Sequence, residues 1–104
     1  MPFKKQPEYV ILHVRYAPDQ QRLNQVRFVR NSGYFFWDWQ LMDRSKLVEL
    51  LKAKKRVSVG WPTNVVNTYR FGDKVSLVSV DGQEYLRTDR EAEAKDKLNE
   101  LPIY

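Results

Sequence analysis

Hydrophobic and polar side chains alternate along residues 9–16, with Val10, Leu12, Val14 and Tyr16 on one side and Tyr9, Ile11, His13 and Arg15 on the other. A period of two marks a β-strand, and the first set is the stronger core face. Residues 17–21 are a loop of turn formers. Residues 23–30 then read as the hairpin partner, with Val26 and Phe28 inward and Gln25 and Arg27 outward. After the turn at Asn31-Ser32-Gly33, residues 34–41 form the most aromatic stretch. Read as a strand, it puts Phe35, Trp37, Trp39 and Leu41 on one face, an expected main wall of the core, and Tyr34 and Phe36 on the other.

The period changes in residues 43–55. Leu47, Leu50 and Leu51 follow helical spacing with Val48 beside them, and Asp43 or Ser45 is placed to cap the start. Short strands follow over residues 57–61 and 69–71, separated by a polar, irregular stretch. Residues 74–89 carry the clearest signal. Two strand-like runs flank Asp81-Gly82, a dipeptide suited to the positive φ of a two-residue hairpin turn. Val75 and Leu77 point to one side and Val78 and Val80 to the other, which predicts a central strand covered on both faces. Further on, Thr88 and Glu91 have capping-box spacing. Ala94, Leu98 and Leu101 would then line a short helix ended by Pro102.

These elements predict an α+β fold: a single small domain with a mainly antiparallel, curved sheet of about five to six strands. One central helix packs across it, with a short C-terminal helix as an option. The Trp37, Trp39 and Leu41 face is expected to meet Leu47, Leu50 and Leu51. Residues 1–8 read as a flexible tail and residues 9–104 as the domain. With 104 residues the chain has room for one core. The absence of cysteine excludes disulfides and thiolate chemistry. No apolar run has the length of a membrane span, and residues 1–9 carry no apolar stretch of signal-peptide length. A cytoplasmic location is the expectation.

Charge adds one feature. Of the 18 Lys and Arg residues, 12 lie in residues 1–56 against five acids, leaving the remaining residues slightly acidic. Such asymmetry marks an anion-binding half, unless the charges simply mix in space. Lys52, Lys54, Lys55 and Arg56 cluster at the helix end, where cations also complement the helix dipole. Arg15, Arg22, Arg27 and Arg30 extend the basic set if their strands share an outward face. Trp61, with Tyr34 and Phe36, would supply stacking surface. Arg87 reads first as a structural ion pair with Asp89 or another acid, and alternatively as a bidentate anion ligand near Tyr85. Asp89, Glu91, Glu93 and Asp96 read as a solvated acidic stretch.

Catalytic chemistry is poorly supplied. His13 is the sole histidine, no nucleophile elbow or phosphate-cradling loop is present, and no spacing suits a metal. No enzyme activity, metal or cofactor is expected.

From Val80 the chain runs Asp81-Gly82-Gln83-Glu84-Tyr85-Leu86-Arg87-Thr88-Asp89, and then Asp96-Lys97-Leu98-Asn99-Glu100-Leu101-Pro102. These residues resemble a bacterial family of small uncharacterised proteins, domain of unknown function 3892. That family closes on a Tyr-Leu/Ile-Arg-Thr-Asp string, a spacer, Asp-Asn-Leu-Gly and Leu-Pro. His13-Val14-Arg15-Tyr16 and the Ser45 helix are similar to its other landmarks, while Lys97 and Asn99 stand where it has Asn and Gly. The resemblance implies a compact cytoplasmic domain and no assigned activity. The expected function is therefore non-enzymatic binding of nucleic acid or another polyanion, tolerant of sequence and sensitive to salt. The alternative is a protein-interaction or self-assembly domain using exposed aromatics.

Overall fold

Strands β1 (Tyr9–Tyr16) and β2 (Leu23–Arg30) pair antiparallel within the bounds the alternation predicts. The computed structural model describes residues 6–19, 21–32, 36–66, 68–89, 91–98 and 101–104. Both strands are rich in β-branched and aromatic side chains, which suit a pleated, half-buried surface. The alternation breaks inside β1, where the register shifts between Ile11 and His13. One extra residue resets the phase of a period-two pattern. Ile11 and Val14 consequently join the main core, whereas Val10 and Leu12 pack with Val29 in a smaller cluster. The expected face of Val10, Leu12, Val14 and Tyr16 is thus divided between two sides.

Strand β3 (Gln40–Asp43) adds antiparallel to β2. Helix α1 (Arg44–Lys52) then carries the chain across β2 and β1 to β4 (Val57–Pro62), which pairs in parallel with β1. Strand β5 (Tyr69–Lys74) closes the far edge antiparallel to β4, giving the order β3-β2-β1-β4-β5. At the start of α1 the Asp43 carboxylate accepts the Lys46 backbone N–H at 3.0 Å, the expected cap. The helix ends before residue 55, the expected limit, and Lys54 takes a positive φ of 63°. Leu47 and Leu50 are buried against the sheet.

The aromatic segment departs from expectation. Trp37, Trp39 and Leu41 are 50%, 56% and 50% exposed, and only Met42 of β3 is buried. The expected strand over residues 34–41 is not formed at Trp37 and Trp39, which precede β3 and so follow no alternation, and within β3 the register decides. Leu41 pairs with Arg27, on the outward side of β2, while Met42 pairs with Val26, on the inward side. Leu47 and Leu50 therefore share a core with Val26, Phe28 and Met42 rather than with the tryptophans. Tyr34 and Phe35 lie outside the described residues.

Strands β6 (Ser76–Val80) and β7 (Gln83–Arg87) form the predicted hairpin. Asp81 and Gly82 take φ of 50° and 80°, as a two-residue turn with two positive φ values requires. The hairpin is a separate two-stranded sheet and not the centre of the main one. Its inner face is the Leu77–Leu86 pair, packed on the main core. Its other face pairs Val78 with Tyr85, whose ring is covered by the Arg22 guanidinium at 5.5 Å. Val75 and Leu77 thus face the core, while Val78 and Val80 are only partly buried and no second layer covers them among the described residues.

Among the described residues the C-terminal helix does not form. The segment runs extended, bridging Arg87 with Lys97 and Val14 with Ile103, and buries Leu98 and Leu101 while Ala94 is exposed. Asp96 holds it there. Its carboxylate is fully buried, contrary to its reading as a solvated acid. It accepts the Leu23 N–H at 2.7 Å, the Leu86 N–H at 2.8 Å and two bonds from the Arg44 guanidinium, at 2.7 and 3.2 Å. One side chain thus joins β2, β7 and the start of α1. Residues 1–5 lie outside the described residues. Gln6 and Pro7 accept from the Asn31 amide, and the Glu8 N–H donates to Arg56, so this part of the expected tail is fastened to the domain.

Helix, hairpin and C-terminal segment all pack on one side of the five-stranded sheet. The opposite side carries the smaller cluster, with Phe36, Tyr69 and Phe71 leaning on Val10, Leu12 and Val29. Beyond those rings this side carries charged residues interleaved with aromatic ones, described next.

Candidate functional site

The predicted cations separate into groups. At the end of α1, Lys52 pairs with Glu84 at 2.8 Å, and Lys55 and Arg56 approach Glu8 at 3.9 and 3.4 Å. Acids of the same domain thus offset much of this cluster, which leaves Lys54 in solvent. Trp61 is half-buried: its indole packs on the core across Gly72, and Arg70 stands over it at 5.5 Å. It offers little open stacking surface.

Arg87 leaves the candidate set altogether. Its side chain is fully buried. It binds Asp89 through Nε at 2.9 Å and Nη2 at 2.7 Å and donates from Nη1 to the Lys95 carbonyl. Glu91 and Glu93 add their charges at 3.7 and 3.6 Å. No donor capacity faces an external anion, so the ion-pair reading holds. The Arg87 guanidinium, with the Glu91 N–H, holds the Asp89 carboxyl down to about 2 against an ordinary 3.8. The folded state therefore binds fewer protons between those values. The contribution of this carboxylate is complete above the ordinary range and is lost as pH falls through about 2. Urea midpoints of wild type and Asp89→Asn are expected to differ at pH 5 and to converge near pH 2. An equal gap at both would remove the pair from the stability of the fold.

The side of the sheet away from the helix is where Arg15 and Arg27 meet. The bulge in β1 sets His13 opposite Arg27, and Arg15 lies opposite Gln25. Residues 102–104 run beside β1 beyond the reach of β4, through Val14 N–H to the Pro102 carbonyl and Tyr104 N–H to the Val14 carbonyl. This brings the Tyr104 ring over the sheet, with its hydroxyl donating to Gln25 at 2.9 Å. The Arg27 guanidinium lies 4.2 Å from the Tyr104 ring and 4.9 Å from Trp39, so it is stacked between them. Arg15 lies 4.5 Å from the same tyrosine and donates from Nε to the Tyr104 main-chain oxygen. Cation–π contacts of this kind fix a guanidinium in place without neutralising it.

Two polar atoms in this cluster, His13 Nδ1 and Arg27 Nε, are buried with no hydrogen-bond partner among the described residues. Burial, and then the Arg27 charge, push the His13 imidazole below its ordinary 6.5, so it is neutral at neutral pH. Among the described residues no Asp or Glu side chain lies within ion-pair distance of Arg15, Arg27 or Arg30. Trp39 and Tyr104 are absent from the predicted binding set. Trp39 reads as core from its alternation, and Tyr104 reaches the site only through pairing across most of the chain.

Arg30 stands apart from that pair. It shares the helix side with Tyr9, its cross-strand neighbour, whose ring it faces at 5.8 Å. Here, between α1 and β3, lies a cavity of about 680 Å³ walled by Tyr9, Phe28, Trp37 and Leu50, with Arg30 and Lys46 at its polar edge. A second hollow of about 750 Å³ shares Arg30 and Trp37 and reaches Arg56.

No protein-family model, curated protein or solved structure matches the chain. No helix is long and apolar enough to cross a membrane, and no group of three His, Asp or Glu side chains is placed to hold a metal, both among the described residues.

Proposed function

We propose that the protein binds single-stranded nucleic acid, without strong sequence preference, on the open side of its main sheet. The observation that carries this reading is the Trp39–Arg27–Tyr104–Arg15 stack. It alternates aromatic rings with guanidinium groups that pair with no described Asp or Glu side chain. Such a row supplies what a flexible strand requires: flat apolar surfaces for bases and fixed positive charges for phosphates. The helix-end lysines, partly neutralised by Glu84 and Glu8, serve the reading less well and enter as a general attraction only. Membership of the domain of unknown function 3892 family is likewise a proposal, resting on Tyr85–Asp89. Arg87 and Asp89 of that string, and Asp96 after it, engage one another or the fold, which supports a structural role for those residues rather than a reactive one.

The test is titration of a fluorescent oligo-dT and oligo-rU at two salt concentrations. Expected is binding at low salt that weakens with a log–log slope of about −0.7 per phosphate contacted. Absence of binding at low salt, or affinity indifferent to salt, would overturn the proposal. The same exposed Trp37, Trp39 and Leu41 favour a second reading, an interface with a protein or another copy. Light scattering across a wide concentration range is expected to show association under that reading, and a monomer throughout would count against self-assembly.

A further inference from the structure

The cavity between α1 and β3 is separate from the open side of the sheet, and its lining is specific enough to name a ligand class. We infer that it takes a nucleoside monophosphate, the base among Tyr9, Phe28 and Trp37 and the phosphate between Arg30 and Lys46. At about 680 Å³ the space falls within the range of small-molecule sites, which are mostly apolar with a few placed polar groups. Tyr9 and Phe28 meet at 5.8 Å with planes inclined by 52°, so they make an angled wall rather than fill the space themselves. The half-exposed Trp37 also lines the space. A flat ring is the shape such walls accommodate.

Charge narrows the class. Arg30 and Lys46 border the cavity, and among the described residues the sole acid lining it is Asp43. Asp43 caps α1 and receives the Ser45 hydroxyl and Lys46 N–H on Oδ1. Those two bonds keep its carboxyl below the ordinary range, so it stays negative. Two cations against one fixed anion suit a single phosphate and disfavour a di- or triphosphate. Gln40, also in the lining, brings an amide with both donors and an acceptor, the complement of a base edge.

The ligand could be a free nucleotide or the phosphorylated end of a strand, so the experiment separates these. Tryptophan fluorescence is titrated with AMP, UMP, adenosine, ATP, and a short oligonucleotide with or without a 5′-phosphate. AMP is expected to bind, adenosine to bind at least about tenfold more weakly for want of charged hydrogen bonds, and ATP to gain nothing over AMP. Arg30→Met is expected to lose about tenfold in AMP affinity with an unchanged unfolding midpoint, and Lys46→Ala to lose less. Trp39→Ala, on the other side of the sheet, is expected to leave AMP binding intact. In Trp39→Ala, where strand binding on the open side is weakened, a preference for the 5′-phosphorylated oligonucleotide over its unphosphorylated form identifies a strand end, and AMP binding without that preference identifies a free nucleotide. Failure of AMP to bind at millimolar concentration, equal binding of adenosine, or AMP affinity unaltered by Arg30→Met would each overturn the inference. None of these outcomes bears on the open side, whose own test is the salt-dependent titration.

Discussion

Asp96→Ala is expected to lower stability by about 3–5 kcal/mol, the range for removing one partner of a buried ion pair. The cause is the number of groups left unsatisfied. The carboxylate is fully buried and receives the Leu23 and Leu86 N–H groups together with the Arg44 guanidinium. In the alanine variant two amides and a cation lose their acceptor at once, in a setting water reaches poorly. A domain of this size has about 5–15 kcal/mol in total, so the loss is a large share. Urea unfolding by circular dichroism reads it. A shift of less than about 1 kcal/mol would show that the three elements hold together without the carboxylate. Asp96→Asn keeps one oxygen for an amide and is expected to fall between wild type and the alanine variant.

Trp39→Ala carries the largest expected effect on binding. Removing an aromatic platform costs about 1–3 kcal/mol per stacked base, which corresponds to an affinity loss of about 5- to 150-fold for oligo-dT. The variant also takes away one of the two rings that position Arg27. Because Trp39 is more than half exposed, the unfolding midpoint is expected to stay within about 0.5 kcal/mol of wild type. Binding and folding are thus separable in one variant. Unchanged strand affinity would move the site off this side of the sheet. In the same titration, Arg27→Met and Arg15→Met are each expected to reduce the salt slope by about 0.7 if each guanidinium holds one phosphate.

Strands β1 and β2, the cap at Asp43, the Leu47 and Leu50 face and the Asp81-Gly82 turn were all legible in the sequence, because each rests on local periodicity or local chemistry. The bulge near Leu12 was not, since one inserted residue leaves the composition of a strand unchanged while inverting the side its later residues occupy. The tryptophans misled for a related reason. Alternation presumed a strand through residues 34–41, but β3 begins only at Gln40, so Trp37 and Trp39 follow no strand phase, and for Leu41 and Met42 only the register with β2 says which side each takes. The Arg87–Asp89 pair was legible because its members are two residues apart, but Asp96 was hidden differently. A buried charge has the same local signature as a solvated one, and its partners here, Leu23, Leu86 and Arg44, are brought in by the tertiary fold. The candidate site was legible in its arginines and not in its geometry, because Tyr104 joins Arg15 and Arg27 from the opposite end of the numbering.

The parallel seam between β1 and β4 bears on how the molecule reaches this state. On a ribosome, β1 and β2 emerge together and can zip at once. The Tyr9–Ile11 flank of β1 that Val57–Val59 will cover must wait for β3, the helix and the chain between them. Until then a strand of valine, isoleucine and leucine displays an unpaired backbone ridge, a template for other nascent chains. Distant partners of this kind also slow refolding relative to helical domains of equal length. Yield in a cell would accordingly respond to growth temperature and translation speed more than the equilibrium stability of the finished domain suggests.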